Sequence, residues 1–333
     1  MHTVCRPGLN RRTLLRGAAG AVLLSAARLP SCGPARADTP NDLLRYTYAD
    51  TRNLVRLVED AATILEARGE TAFPDFDKPG SRWLNGDTYI FAYAPDGTAV
   101  FHPISPELKN TNVINLIDID GKPIIKEVVA VANSPAPKAS GWVFYLWQDR
   151  TQITPIWKAS YVRKVVTPDG KTFAVGSGLY NPKIEKVFVQ ERVNLACDLL
   201  VKAGKEEAFH QFRDTASPFA FLDSYVFVLT EQGETLVDPA FPTRTGREML
   251  NFKDAVGFEP IRALLAKLQR ADEAWVQFLW PKPGNVVPSR KLVYARKLTV
   301  NGEVMIVGCD FFLATPIWMK AERTGTWQRN QRG

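Results

Sequence analysis

Cysteine and histidine are scarce in this chain. Of its 333 residues, four are cysteine and three are histidine. Cys5 and Cys32 fall near the N-terminus, which leaves Cys197 and Cys309 for the body of the protein. No Cys-x-x-Cys and no Cys/His cluster occurs, so a structural zinc site has no support. Beyond the N-terminal segment only His102 and His210 remain, and no nucleophile stands beside His210 in sequence. Gly-x-Ser-x-Gly, His-Glu-x-x-His, the Walker loop and Gly-x-Gly-x-x-Gly are all missing. The expectation is a protein that is not an enzyme, with no cofactor and no metal. Long apolar runs are missing too. Gly17 to Ala27 is too short for a span of about 20 residues, and no later run approaches that length.

Residues 1–37 read as an export signal. Asn10-Arg11-Arg12-Thr13-Leu14-Leu15-Arg16 is a twin-arginine pattern, the apolar stretch follows, and Ala35-Arg36-Ala37 supplies a small-x-small cleavage site. Leu29-Pro30-Ser31-Cys32 loosely resembles a lipoprotein box. The protein is expected in the periplasm or outside the cell, cleaved after Ala37. This changes the meaning of the charge. The chain is +7, but the signal holds six arginines (6, 11, 12, 16, 28 and 36) and no acid. Its removal leaves +1, so nucleic-acid binding has no electrostatic support. An exporting compartment permits a Cys197–Cys309 disulfide; two buried thiols are the default.

What is present is a duplication. Asp87 to Pro103 returns as Asp223 to Pro239 at an offset of 136 residues without a gap. Asp87, Tyr89, Phe91, Gly97 and Pro103 are matched by Asp223, Tyr225, Phe227, Gly233 and Pro239. With the offset three shorter, Trp142 to Trp147 matches Trp275 to Trp280, and Lys158, Tyr161 and Arg163 match Lys291, Tyr294 and Arg296. Val175-Gly176 matches Val307-Gly308. A unit of this size is a domain rather than a solenoid repeat. Two domains are expected, at 38–184 and 185–322, with a tail over 323–333.

Periodicity gives each copy the same order. Leu54, Leu57, Val58, Ala61, Ala62 and Leu65 recur at helical spacing up to Gly69; Val187, Phe188, Leu195, Ala196, Leu199 and Leu200 do so up to Gly204. A hairpin follows, Thr88–Tyr93 and Ala99–His102 about Pro95-Asp96-Gly97. Next come a short helix (123–133; 259–270) and three strands (141–147, 158–167, 173–178; 274–280, 290–299, 303–309). The fold class is α+β, with an amphipathic helix and a five-stranded antiparallel sheet in each domain. Asp118-Ile119-Asp120-Gly121 lacks the oxygens of a full calcium loop and reads as an Asx turn. Arg163-Lys164 and Arg296-Lys297 read as solvated edge charges.

Six elements in order resemble the Cache domain, the extracellular PAS-like sensor module of chemoreceptors and sensor kinases. They are Tyr89-Ile90-Phe91, Asp96-Gly97 with Phe101-His102-Pro103, Asp118 to Lys122, Gly141-Trp142, Lys158 to Val162, and Gly176-Ser177-Gly178. The second copy keeps Tyr225, Gly233, Pro239, Trp275, Lys291 and Tyr294, but has Asp238 for His102 and Asp310 for Gly178. The resemblance implies a pocket for a small metabolite, often a short carboxylic acid. Ligand contacts are then expected from Lys158, Tyr161, His102, Trp142, Tyr145 and Tyr89, and in the second copy from Lys291, Tyr294 and Asp238. An ammonium, a hydroxyl and a ring N–H would offset the desolvation of a carboxylate. Strand alternation puts Lys158 and Tyr161 on opposite faces unless a bulge intervenes.

Two functions follow as alternatives. One is a free sensory binding protein, its better pocket in the first copy, acting through a membrane sensor kinase, chemoreceptor or transporter. The other is a ligand-free scaffold for such a complex; an exported enzyme on the same frame ranks below both.

Overall fold

The computed structural model describes residues 42–148, 153–282 and 286–313. The segment read as an export signal, the expected cleavage after Ala37, Cys32 and the 323–333 tail lie outside the described residues.

Helix α1 (Ala49–Arg68) opens the first half. Strands β1 (Phe91–Tyr93) and β2 (Ala99–Phe101), helix α2 (Ile124–Asn133) and strands β3 (Ser140–Trp147), β4 (Ile156–Val166) and β5 (Thr172–Tyr180) follow. The second half repeats the order. It runs α3 (Lys186–Arg213), β6 (Ser224–Thr230), β7 (Thr235–Val237), α4 (Pro260–Leu268), β8 (Glu273–Pro281), β9 (Pro288–Val300) and β10 (Glu303–Phe312). The sheets are antiparallel, ordered β2-β1-β5-β4-β3 and β7-β6-β10-β9-β8. The two domains are therefore duplicates in three dimensions. Even the close contacts recur: a Cβ on Gly176 would collide with the Phe91 ring, and one on Gly308 with the Phe227 ring.

Three details depart from the sequence reading. Thr88–Tyr93 is not one strand: Thr88–Tyr89 pairs with Leu84–Asn85, and only Phe91–Tyr93 joins the main sheet. The second sheet gains a sixth piece, Ala220–Phe221, folded back on β6. Gly204 does not end α3. It breaks the helix at φ 83°, and the chain then resumes helical form to Arg213. Ala208, Phe209 and Phe212 explain the resumption, because they bury a second apolar stripe.

Each sheet is buried on both faces. In the first, Trp142, Phe144, Ala159, Tyr161 and Val175 face α1, whereas Val143, Tyr145, Val162 and Ala174 face α2. In the second, Val276, Val293, Ala295 and Ile306 face α4, while Tyr294, Val307 and Cys309 join the cluster that holds α1 and α3. Cys197 and Cys309 are both buried thiols.

Candidate ligand-binding sites

The face under α2 carries the first cluster. Lys158 stands on β4 opposite Tyr145 of β3 and Tyr180 of β5, with no register shift along the pairing. The absence of a bulge makes alternation decisive: Lys158 and Tyr145 share one face, and Tyr161 points to the other. Lys158 is fully buried. Its Nζ donates to the Tyr89 hydroxyl at 2.6 Å and lies 4.8 Å from the centre of the Tyr180 ring. No carboxylate lies within ion-pairing distance of it among the described residues. Burial therefore pulls its pKa down to about 7, opposed only weakly by Asp87.

His102 sits against the same Tyr89 ring, with centroids 5.2 Å apart. Burial, and then the charge of Lys158, lower its pKa to about 4, so the ring is neutral near pH 7. Its Nδ1 has no hydrogen-bond partner among the described residues. Tyr145 shares a hydrogen bond of 2.8 Å with Ser160 Oγ, and burial raises its hydroxyl pKa. Lys158, Tyr89, His102 and Tyr145 thus come together.

Tyr161 and Trp142 do not join them. Tyr161 donates to Glu59 of α1 at 2.9 Å, and Trp142 packs on Phe188 at 4.6 Å, both on the helix side of the sheet. Tyr294 behaves the same way, donating to Glu273 at 2.6 Å and packing on Trp275. Strand parity places these three residues on the face opposite Lys158 and Lys291. Arg163 is not a solvated edge charge either. It is 2% exposed and pairs with Glu59 and Glu66 at 3.3 and 3.2 Å, fastening α1 to β4.

The face under α4 encloses a cavity of about 50 Å³. Lys291, Asp238, Arg244, Tyr225 and Thr235 supply its polar wall; Phe227, Leu229, Met249, Ile261 and Trp280 are among its apolar lining. Lys291 repeats the pose of Lys158, donating to the Tyr225 hydroxyl at 3.0 Å. Unlike Lys158 it has a counterion, since Asp310 Oδ2 lies 2.8 Å away. Asp238 accepts from the Phe241 amide at 3.0 Å, and burial raises its pKa despite Lys291 and Arg244. Arg244 stacks between Phe241 and Trp280, 4.1 Å from each ring centre. Arg244 and Trp280 line this cavity without being among the residues expected from the sequence. A charge-changing substitution between the copies could have found the first, because Arg244 stands where the first copy has Leu108.

The family model described as "Cache domain" matches residues 79–194, and "Single Cache domain 2" matches residues 197–312. The chain carries two Cache domains in tandem. Cache domains are sensory ligand-binding modules rather than catalytic ones. Among solved structures, similarity is found to a Cache chemosensory domain studied for carboxylic acid recognition. That match has 18% identity and TM-score 0.32, over 38% of this chain and 86% of that one. A methyl-accepting chemotaxis protein from Vibrio parahaemolyticus shows 21% identity and TM-score 0.33, over 38% of this chain and 87% of that one. The ligand-binding domain of the Pseudomonas aeruginosa amino acid chemoreceptor PctB, in complex with L-Arg, shows 13% identity and TM-score 0.26, over 83% of this chain and 90% of that one.

Proposed function

We propose that this tandem Cache protein senses a small carboxylate in its first domain and reports it to a membrane sensor kinase, chemoreceptor or transporter. One observation carries the reading. Lys158 is a wholly buried ammonium with a tyrosine hydroxyl but, among the described residues, no carboxylate within ion-pairing distance. A buried cation is costly unless paired. A ligand carboxylate supplies the missing charge, and the unpartnered Nδ1 of His102 gives it a second donor. Tyr89 and Tyr145 wall the site. A titration of residues 38–333 against short carboxylates tests this by calorimetry. Lys158→Met is expected to abolish carboxylate binding and Lys291→Met to leave it. Affinity unchanged by Lys158→Met would remove the site, and no saturable binding of any small molecule would favour the scaffold reading.

The same reading includes export by the twin-arginine route, with cleavage after Ala37. It rests on Arg11-Arg12 and the apolar stretch behind them. Changing both arginines to lysine is expected to hold the full chain in the cytoplasm. Unchanged delivery to the periplasm in that variant would rule out this route.

A further inference from the structure

Both domains place one lysine at the same point of the same strand. Lys158 pairs across to Tyr180, and Lys291 across to Phe312. Two residues upstream of those partners the domains diverge. Gly178 stands opposite Ser160, and Asp310 opposite Val293. At Gly178 a Cβ would run into the stem of Lys158 and come within 2.6 Å of Ser160 Oγ, so a side chain there would have to displace both. In the second domain that place holds a carboxylate with no exposed surface. Its Oδ2 lies 2.8 Å from Lys291 Nζ. Apart from that ion pair, neither oxygen finds a hydrogen-bond donor among the described residues.

The charges of the second site therefore cancel internally. Lys291 and Arg244 are opposed by Asp238, which lines the cavity with them, and by Asp310 behind Lys291. A simple carboxylate entering here would add a third negative charge against two positive ones, in a space walled by apolar side chains. The first site has the opposite deficit, a buried lysine with no carboxylate within ion-pairing distance among the described residues. We propose that Asp310 is a specificity-determining residue: it holds Lys291 as a built-in counterion, closes the second cavity to simple carboxylates and reserves it for a small uncharged or zwitterionic molecule. This rests on the ligand-binding reading above.

Propionate, propionamide and glycine separate the charge classes, and calorimetry on the Lys158→Met protein isolates the second cavity. That protein is expected to ignore propionate. Asp310→Asn, and independently Asp310→Gly to reproduce Gly178, each added to it, are expected to gain propionate affinity. The gain should be about tenfold or more, the size of one charge-assisted hydrogen bond. Adding Lys291→Met should erase it. A merely structural aspartate would not create affinity for a new ligand class when replaced. The inference falls if the Lys158→Met parent binds propionate through Lys291 as tightly as the Asp310 variants do. It also falls if propionamide or glycine binds while both folded Asp310 variants gain nothing. If no Lys158→Met variant binds any probe, the second cavity takes none of these classes and the inference falls, while the first-domain reading is judged separately by propionate binding to the protein with Lys158 intact.

Discussion

Lys158 carries its charge into a place that water does not share. Its pKa drops from the lysine value of 10.5 to about 7, so the native state releases a proton that the unfolded chain keeps. Between about pH 7 and 10 the unfolded state binds more protons, and stability rises with pH. Below pH 7 both states are protonated and this contribution is flat. Ligand binding has the opposite slope, because a carboxylate needs the ammonium form. Affinity is expected to be full below pH 7 and to fall as pH rises through it, approaching about tenfold per pH unit. His102, held to about 4, stays neutral over that range and adds no second slope. Calorimetry from pH 5.5 to 9 in buffers of different ionisation heat would reveal proton uptake on binding above pH 7. A flat affinity profile would show that Lys158 does not change charge over this range, and retention of binding in Lys158→Met would then exclude it as the anion's partner.

At the scale of elements, much of the architecture could be read from periodicity. Apolar residues at helical spacing mark α1, and alternation marks β4, where Lys158 and Tyr161 fall on opposite faces as parity requires. The Asx turn also stands: Asp118 Oδ1 accepts from the Asp120 and Lys122 amides, each at 2.9 Å. Its other oxygen reaches β3, accepting from the Leu146 amide at 2.9 Å. Asp254 repeats this with Val256, Phe258 and Leu279. What could not be read depends on partners distant in the chain. Tyr161 looks like a ligand residue until Glu59 is seen across the helix face. Lys164 and Lys297 look like edge charges until Nζ of each is seen at the end of a covering helix, donating to Ser134 O at 2.6 Å and Leu268 O at 3.1 Å. Such lysines satisfy the carbonyls that a helix C-terminus leaves open. Gly204 misleads for a related reason: it permits a break, but whether the helix resumes is decided by the apolar stripe beyond it.

In the whole molecule the two domains share one apolar core. Phe144 of the first sheet stacks on Phe221 of the second at 4.5 Å, and Phe188 of α3 packs against Trp142 and Phe144. Glu185, just ahead of α3, accepts the amides of Thr47 and Tyr48 at 2.7 and 2.9 Å where α1 begins. Lys122 donates to the Ser217 and Ala220 carbonyls at 2.5 and 2.6 Å. Arg192 completes the join. It donates to the Trp142 carbonyl in one domain and the Pro218 carbonyl in the other, with its guanidinium 5.1 Å from the Phe144 ring centre. Contacts this continuous make independent unfolding of either domain expensive, since each would expose the other's core. Urea unfolding followed by tryptophan fluorescence and by circular dichroism is expected to give one coincident transition. Arg192→Ala removes the donors to one buried and one half-buried carbonyl, and should cost about 2–4 kcal/mol. If the join works as the contacts imply, the same variant should also pull the two probes apart, because the domains would then melt separately. Two transitions in the unaltered protein, or an Arg192→Ala protein as stable as its parent, would show that the shared core does not couple the domains.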